Sequence, residues 1–442
     1  MEKKFISLPK NIRNVCWGTQ QGSGVPQLIL FKQGKGSKGF VGQRSIIIKI
    51  IIIRKIIIIF VLYKNKTMNN PFIVTGRYIS PEFFCDRENE TAELLSNIQN
   101  WRNTVLVSLR RMGKSGLIHH LYNLDAIMSD YETFFIDIYD TENIEDFVFL
   151  LSKEITVRLQ SKGMRLFERF LQIVNSIKIS FGTDPLTGQP GFDISLGDIK
   201  NPAKTLQQLF EFLEASEKPC IVAIDEFQQI ADYKSAKKDI ATLRTLVQGC
   251  KKTRFIFAGS NRRMMGHLFQ SPSEPFFMSC SPIILEPIDK ERYTEFVKYH
   301  FHKNGKDILP NSINYVYDKF DGHTWFIQYL FNRLFETAGD KPVTIDDANS
   351  AVDYIIDIFA PIFQEIFMGM SERQRSLLSA IAKEGKVTSI TGTQFIMKYN
   401  LRSASAVQGA LKPLLKNETV ISQQGTYFIS NRFYSIWLAR RY

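Results

Sequence analysis

Residues 104–116 read TVLVSLRRMGKSG, and this stretch decides the fold class. Thr104–Ser108 is a short apolar run that predicts a buried strand, and a loop separates it from a helix that opens at Gly113. The loop fits the pattern G-x-x-x-x-G-K-[ST], except that Ser108 stands where the first glycine is usual. Backbone N–H groups at the start of such a helix bind phosphate groups. The stretch therefore predicts a phosphate-binding loop; the alternative is a glycine turn that carries an exposed lysine.

The pattern assigns specific roles to two residues of this loop and a role in nucleotide binding to the others. Lys114 is expected to reach the β- and γ-phosphate oxygens of a nucleotide, and the Ser115 hydroxyl is expected to bind Mg²⁺. The residues of the loop predicted to bind the nucleotide are Ser108, Arg110, Arg111, Met112, Gly113, Lys114, Ser115 and Gly116.

A second apolar run ends in two acids. Ile221–Ile224 is followed by Asp225 and Glu226, which places two carboxylates where a parallel strand ends and where ligands bind in open α/β folds. Asp225 is predicted to hold Mg²⁺ through water, and Glu226 to orient and deprotonate the attacking water. An ordinary solvated strand end is the alternative. The position, about 110 residues after Lys114 with strands between, favours the nucleotide site.

The next strand ends in a polar loop. Ser260 or Asn261 follows it, placed to touch the γ-phosphate or the attacking water, and a simple polar loop is the alternative. Arg262 and Arg263 are either charge-stabilising arginines or surface arginines.

Short apolar runs alternate with helical patterns along this part of the chain. This alternation predicts a parallel sheet covered by helices on both faces. The further predicted strands are Thr133–Ile138, Cys220–Ile224, Arg254–Gly259 and Pro282–Leu285. Glycines and prolines within Lys178–Asp198 predict a β-hairpin insertion, and the pattern after Pro287 is helical to about Asp357.

The N-terminal segment differs from the rest of the chain. Residues 1–67 contain 13 lysines and arginines and one acid, so this segment carries the whole formal charge of +12. The overall basicity therefore does not indicate a nucleic-acid partner. Ile46–Tyr63 is rich in isoleucine but includes three cations, which makes it a marginal membrane span. We expect Met68 to be the true start, with no membrane contact; a membrane anchor is the alternative.

Cysteine and histidine usage excludes further classes. The five cysteines are scattered and form no C-x-x-C pair, which indicates reduced thiols in a cytoplasmic protein. The six histidines include no H-E-x-x-H motif, so a zinc site is not expected.

From about residue 72 to the C-terminus, the chain resembles the archaeal-type ATPase family of the AAA+ P-loop ATPases, close to the STAND group. The resemblance rests on the stretches FCDRENE (84–90), RRMGKS (110–115), IDEFQ (224–228), AGS (258–260) and DGHTW (321–325). It implies ATP and Mg²⁺ as cofactors, ATP hydrolysis with Glu226, Lys114 and Ser260 as catalytic residues, and Arg87 beside the adenine and ribose. It also implies strand order 5-1-4-3-2, a helical lid and a C-terminal winged helix-turn-helix.

Three positions depart from the family pattern. Ser108 replaces the first glycine of the loop, and Thr324 replaces the proline usual after Gly-His. The stretch Pro275–Ser279 lacks the arginine found there in many relatives, so an inter-subunit arginine finger is not predicted.

The predicted domains are the segment 1–67, a P-loop ATPase core at 68–286, a helical lid at 287–358 and a winged-helix domain at 359–442. The last holds 11 bases and four acids, a charge of +7, which suits a DNA contact. Its third predicted helix offers mostly small residues, so only Arg402, Ser405, Gln408 and Lys412 are candidates for reading bases. Sequence-specific readout, non-specific phosphate contact and a protein-binding or structural role all remain open.

Two functions follow from these observations. The first is a Mg²⁺-dependent ATPase whose nucleotide state positions the winged helix against a DNA or protein partner. The second is a slow nucleotide-gated signalling switch that acts as a protein-binding module with little turnover. The pair Asp225 and Glu226 favours the first, and the missing arginine finger favours the second.

Overall fold

The computed structural model describes residues 16–18, 27–29, 70–74, 81–160, 164–176, 180–183, 190–193 and 199–442. The chain divides into two compact units, Met1–Asn69 and Asn70–Tyr442. In the first unit, strands Cys16–Gly18 (β1) and Gln27–Ile29 (β2) pair antiparallel. The predictions for Ile46–Tyr63 and for a start at Met68 lie outside the described residues.

A five-stranded parallel sheet forms the centre of the second unit. The remaining strands of the chain are Thr104–Val107 (β3), Glu132–Asp137 (β4), Ser180–Thr183 (β5), Pro190–Asp193 (β6), Cys220–Asp225 (β7), Arg254–Gly259 (β8), Ser281–Ile284 (β9), Val420–Gln423 (β10) and Thr426–Ile429 (β11). The central sheet has the order β4-β7-β8-β3-β9, and every adjacent pair is parallel. Numbered one to five along the chain, this is 5-1-4-3-2 read from the other edge, so the predicted order is confirmed.

The helices follow the strands in the alternating way that the sequence predicts. They are Glu88–Gln99 (α1), Lys114–Tyr122 (α2), Asp125–Asp130 (α3), Ile144–Gln160 (α4), Met164–Ile173 (α5), Pro202–Glu214 (α6), Ala236–Gly249 (α7), Arg262–Gln270 (α8), Lys290–Lys303 (α9), Pro310–Lys319 (α10), Thr324–Thr337 (α11), Ile345–Met368 (α12), Glu372–Glu384 (α13), Thr393–Lys398 (α14), Ala404–Lys416 (α15) and Arg432–Arg441 (α16).

Both faces of the central sheet are buried. Ile221 and Ala223 of β7 pack in one hydrophobic cluster with helices α1 and α2, whereas Val222 and Ile224 pack in another with α4, α6 and α7. Successive side chains of a strand point to opposite faces, so a continuous apolar run is what a sheet covered on both sides requires. This arrangement leaves the carboxyl ends of the strands as the exposed edge.

A hairpin is inserted between the second and third strands of the sheet. Strands β5 and β6 pair antiparallel, from Ser180 opposite Asp193 to Thr183 opposite Pro190. The predicted β-hairpin insertion is therefore confirmed.

The lid and the winged helix share one hydrophobic core. Phe320 and Phe326 of the lid contact Phe433 of α16, with ring centroids 5.2 and 5.3 Å apart. The wing is the antiparallel hairpin β10–β11. The proposed border between lid and winged helix, at 358/359, lies within the continuous helix α12.

No helix within the described ranges is long and apolar enough to cross a membrane.

Candidate nucleotide-binding site

The loop after β3 has the backbone that a phosphate-binding loop requires. Gly113, at φ +96°, lies in the left-handed region and caps the N-terminus of α2. Arg111 is also left-handed, at φ +64°. A Cβ atom at Gly113 would have no neighbour within 4 Å, so there is space for a side chain. Glycine is favoured there by the left-handed backbone conformation. The free N–H groups of α2 consequently open onto the loop.

Ser108 and Lys114 lie side by side at the base of this loop. Lys114 is only 5% exposed, and its Nζ lies 3.4 Å from Oγ of Ser108. The Ser108 hydroxyl donates to the Leu109 carbonyl oxygen at 2.7 Å, and its backbone N–H donates to the Gly259 carbonyl oxygen. The serine that replaces the usual first glycine is thus fully buried and fits the loop.

The two sequence motifs meet at a hydrogen bond. The Ser115 hydroxyl donates to Oδ2 of Asp225 over 2.5 Å, and Asp225 is buried at the end of β7. Asp137, at the end of β4, is the register partner of Asp225. Loss of solvation, and then the carboxylates of Asp225 and Glu226, raise the pKa of Asp137. The carboxyl edge of the sheet therefore concentrates negative charge next to a hydroxyl, which suits a hard divalent cation.

The Glu226 carboxylate is held by two donors. Ser260, directly after β8, donates its hydroxyl to Oε2 of Glu226 at 2.7 Å, and Nε2 of Gln228 donates to the same oxygen at 2.5 Å. Glu226 itself has a left-handed backbone, at φ +53°. The sequence patterns singled out Glu226 and Ser260 but missed Gln228.

A cavity of about 330 Å³ opens above the loop. At one end it is lined by the predicted loop residues, and at the other by apolar side chains that include Ile73, Val74 and, at the start of the lid, Ile288. The lining residues are Ile73, Val74, Phe83, Phe84, Cys85, Arg87, Arg110, Arg111, Met112, Gly113, Lys114, Ser115, Gly116, Glu226, Ile288, Thr324, Trp325 and Gln328. Of the predicted site residues, Ser108, Asp225 and Ser260 do not line it; they contact residues that do.

Arg87 and the lid approach the loop from above. The Arg87 guanidinium is buried, pairs with Glu90 at 2.6 Å and donates to the Met112 carbonyl oxygen at 3.4 Å. The Thr324 hydroxyl, at the position where the resemblance implies proline, donates to the same carbonyl oxygen at 3.4 Å. Arg111 lies over the ring of Trp325, with Cζ 4.3 Å from the centroid. Gln328 was not selected from the sequence, and Trp325 was noted only as the last residue of the stretch DGHTW.

A second cavity, of about 750 Å³, separates the loop after β8 from the winged helix. Ser260, Arg262 and Arg263 line one side, and Gln408 and Lys412 of α15 line the other. Of the four candidates for reading bases, Arg402 and Ser405 are exposed and do not line this cavity. Within the part of the chain that is described, no group of three His, Cys, Asp or Glu residues is placed to hold a metal.

Ion pairs, in addition to the aromatic contacts, connect the winged helix to the lid. Asp321 accepts from Lys386 and from Arg432, both at 2.7 Å. His323 is buried beside them, and burial, followed by the positive charge of Arg432, lowers its pKa to about 4. This junction lies two residues from Trp325 and so adjoins the first cavity.

Comparison with known families identifies the chain. Residues 84–330, more than half of it, match the model of the ATPase domain found predominantly in Archaea. The chain belongs to this family. Residues 361–440 match the model of a probable winged helix domain. The family and the C-terminal winged helix expected from the motifs are confirmed.

Solved structures share the fold. The Walker-type ATPase of Pyrococcus abyssi is similar over 83% of this chain and 99% of its own, with 19% identity and a TM-score of 0.59. The ORC2 protein of Aeropyrum pernix, with ADPNP and ADP, is similar over 85% and 96%, with 12% identity and a TM-score of 0.54. No curated protein matches the sequence. The AAA+-like P-loop fold with a C-terminal winged helix is thereby established.

Proposed function

We propose that this member of the ATPase family is a Mg²⁺-dependent ATP hydrolase whose nucleotide state positions the winged helix against a DNA or protein partner. The observation that carries the proposal is the contact between Ser115 and Asp225, which joins residues 110 positions apart at the mouth of the phosphate-binding loop. A serine hydroxyl and an aspartate carboxylate next to a buried lysine are the groups that phosphate and Mg²⁺ need.

ATP would bind with its phosphates at the N-terminus of α2 and its base at the apolar end of the cavity. Lys114 and the free N–H groups of α2 supply positive charge at the phosphate end. Arg87 supports the same orientation, because it lines the cavity and its buried guanidinium donates to the Met112 carbonyl oxygen of the loop.

The residues present fit a magnesium ion. Ser115 and Asp225 would hold it, since both offer oxygen ligands and the carboxylates of Asp137 and Glu226 add negative charge nearby. Bound Mg²⁺ neutralises charge on the phosphate oxygens during transfer.

Glu226 would act as the base that orients and deprotonates the attacking water. Its carboxylate lines the cavity, and Ser260 fixes one of its oxygens. The proton of water would pass to the carboxylate as the oxygen attacks the γ-phosphorus, and ADP would leave.

The nucleotide and the winged helix are connected through the lid. Arg111 of the loop lies on Trp325, and Trp325 contacts Phe433 of the winged helix with centroids 6.3 Å apart. A change in the position of Arg111 therefore reaches the winged helix through two ring contacts.

The partner surface is proposed to be the side of α15 that faces the second cavity. A duplex is read by a helix inserted in its major groove, about 12 Å wide. Gln408 and Lys412 face the ATPase core across the cavity, so DNA binding through them requires the winged helix to move away. A protein segment that enters the cavity is the other class of partner. Cys85, Cys250 and Cys280 form no disulfide, which supports the proposal of a reducing, cytoplasmic location.

A slow nucleotide-gated switch is the second candidate function. The two donors on one oxygen of Glu226 favour it, because they occupy an oxygen that would otherwise accept the proton of the attacking water. In this case ATP occupancy alone would set the position of the winged helix.

Steady-state ATP turnover of the full chain with Mg²⁺, with and without double-stranded DNA at low salt, tests the proposal. Measurable turnover that DNA raises about tenfold supports an ATPase with DNA in its cycle. Tight binding with negligible turnover in both conditions supports the switch. Glu226→Gln should trap bound ATP if the protein is an ATPase and should change little if it is a switch.

A further inference from the structure

The second cavity carries positive charge on both of its sides. Arg262 and Arg263 line the side of the ATPase core, and Lys412 and Lys416 line the side of α15. Glu418 is the one acid among the described residues that line the cavity. Complementary charge steers binding partners and selects among them. A ligand with negative charge therefore suits this cavity.

Most of these cations have no countercharge of their own. Arg262 pairs with Glu286 at 3.0 Å. Arg263, Lys412 and Lys416 are exposed, and none of them forms an ion pair with a residue in the described ranges. Their charges are consequently open to the carboxylates of a ligand. An exposed ion pair contributes little by itself, so a ligand that binds tightly here needs a second kind of contact.

Apolar side chains in the same lining offer that second contact. Ile366 of α12 is 45% exposed, and Leu415 of α15 and Ile421 of the wing are half-buried; all three line the cavity. Ile362, one turn before Ile366 and 51% exposed, continues the apolar surface along α12. Apolar side chains that are exposed together within a polar rim are typical of protein–protein contacts.

This lining does not suit nucleic acid. Proteins that bind single strands stack the bases on aromatic side chains. The aromatic residues of the described lining, Phe363 and Tyr434, are only 4% and 3% exposed, so neither ring offers a face to a base. A duplex presents its phosphates outwards. These would meet the cations but leave Ile366 and Leu415 without an apolar partner.

We propose that the second cavity binds a segment of a partner protein in which acidic residues flank aliphatic ones. The inference rests on the proposed function, because it names the partner of the surface on α15. The aliphatic side chains contact Ile366 and Leu415, and the carboxylates pair with Lys412 and Lys416 on one side and with Arg263 on the other. A segment that contacts both sides also holds the winged helix next to the ATPase core.

Random dodecapeptides displayed on phage supply the probe. The library is first depleted on Ile366→Ser of the full chain and is then selected on the wild-type chain, without nucleotide. Depletion on this variant removes peptides that bind elsewhere and introduces no bias in charge. The recovered peptides are expected to be rich in Asp and Glu and to include aliphatic residues. Failure to recover peptides, or recovery of peptides without acidic residues, would overturn the proposal.

The Kd of the tightest recovered peptide, labelled with fluorescein, then assigns the contacts. We expect Lys412→Glu to raise this Kd at least about tenfold, because a carboxylate then faces the acidic residues of the peptide. Lys383→Glu, at an exposed lysine of α13, and Met397→Ser, at an exposed methionine of α14, are matched controls outside the cavity. Both should change the Kd less than about twofold. Equal effects of Lys412→Glu and Lys383→Glu would reject the proposal.

Oligothymidylate and a DNA duplex, also labelled with fluorescein, are titrated under the same conditions. If either binds more tightly than the peptide and Lys412→Glu weakens that binding at least about tenfold, the surface binds nucleic acid and the inference is wrong. This result would leave the proposed ATP hydrolase intact, with DNA as its partner. Absence of ATP turnover would instead reject the proposed function, and the peptide affinities, measured without nucleotide, would still stand.

Discussion

The Ser260 hydroxyl lies 2.7 Å from Oε2 of Glu226, so the residue that follows one strand of the sheet positions the carboxylate that follows its neighbour. The strands β7 and β8 are adjacent and parallel, which brings their carboxyl ends to the same edge. The position of Glu226 against a water molecule therefore depends on a residue 34 positions away.

Ser260→Ala should separate catalysis from binding. We expect ATP turnover to fall about tenfold, because Glu226 loses the donor that fixes its carboxylate, while the Kd for ATP changes less than about twofold. Steady-state hydrolysis and equilibrium binding measure the two effects. Ser273→Ala, at an exposed serine in the loop after α8, is the control. An equal loss of affinity and turnover would show that Ser260 serves ground-state binding.

Lys114→Ala should abolish nucleotide binding without harming the fold. We expect the Kd for ATP to rise at least about 100-fold, because a charge-assisted contact with the phosphates is lost. The free energy of unfolding without nucleotide should not fall, since a buried ammonium is costly to desolvate. Calorimetry measures the Kd for ATP, and urea unfolding measures the free energy of unfolding. Lys341→Ala, at an exposed lysine, is the control. A destabilised protein would show that Lys114 is mainly structural.

Asp321→Asn should loosen the winged helix. The carboxylate accepts from Lys386 and from the largely buried Arg432, and the variant leaves Arg432 without its countercharge. We expect a loss of about 1 kcal/mol in the free energy of unfolding and faster tryptic cleavage between the lid and the winged helix. The control is Asp340→Asn, an exposed aspartate. Cleavage at the wild-type rate would mean that the ring contacts alone hold the domain.

His323 should make the protein less stable in mild acid. Its pKa is lowered to about 4 in the folded protein, whereas an unfolded chain has a histidine pKa of about 6.5. The unfolded chain therefore binds the proton more readily, and stability falls as the pH drops from about 6.5 towards 4. At pH 5 the loss due to this residue amounts to about 2 kcal/mol.

Urea unfolding of the wild type and of His323→Phe at pH 7 and pH 5 measures this contribution. The loss of stability between the two pH values should be smaller in the variant by about the same 2 kcal/mol. Other titrating groups affect both proteins equally and cancel in the difference. His267→Phe, at an exposed histidine, should retain the full loss. Identical pH dependence in wild type and His323→Phe would contradict the prediction.

The sequence predicted those parts of the site that depend on backbone register. Ser115 and Asp225 could be placed together because the loop before Ser115 follows one strand of the parallel sheet and Asp225 ends another, and parallel strands end at the same edge. The strand order came from the family resemblance and is confirmed by the sheet. The same logic selected Glu226 and Ser260.

Other parts of the site depend on tertiary packing and left no pattern in the sequence. Gln228 and Gln328 are single amides, and nothing in their local sequence shows that one reaches Glu226 and the other the cavity. The change in composition near residue 358 suggested a domain border there. The helix α12 nevertheless continues to Met368, and Gly369 is its C-cap. A change in surface charge does not require a break in the helix.

The stack of Arg111 on Trp325 gives the protein an intrinsic optical probe. The indole lies 4.3 Å from a guanidinium that borders the phosphate-binding loop, and it also contacts the winged helix through Phe433. Indole emission responds to nearby charge and to solvent access, so nucleotide arrival at the loop and release of the winged helix would each alter the same fluorescence signal. Stopped-flow recording could then resolve the order of the two events in the unlabelled protein.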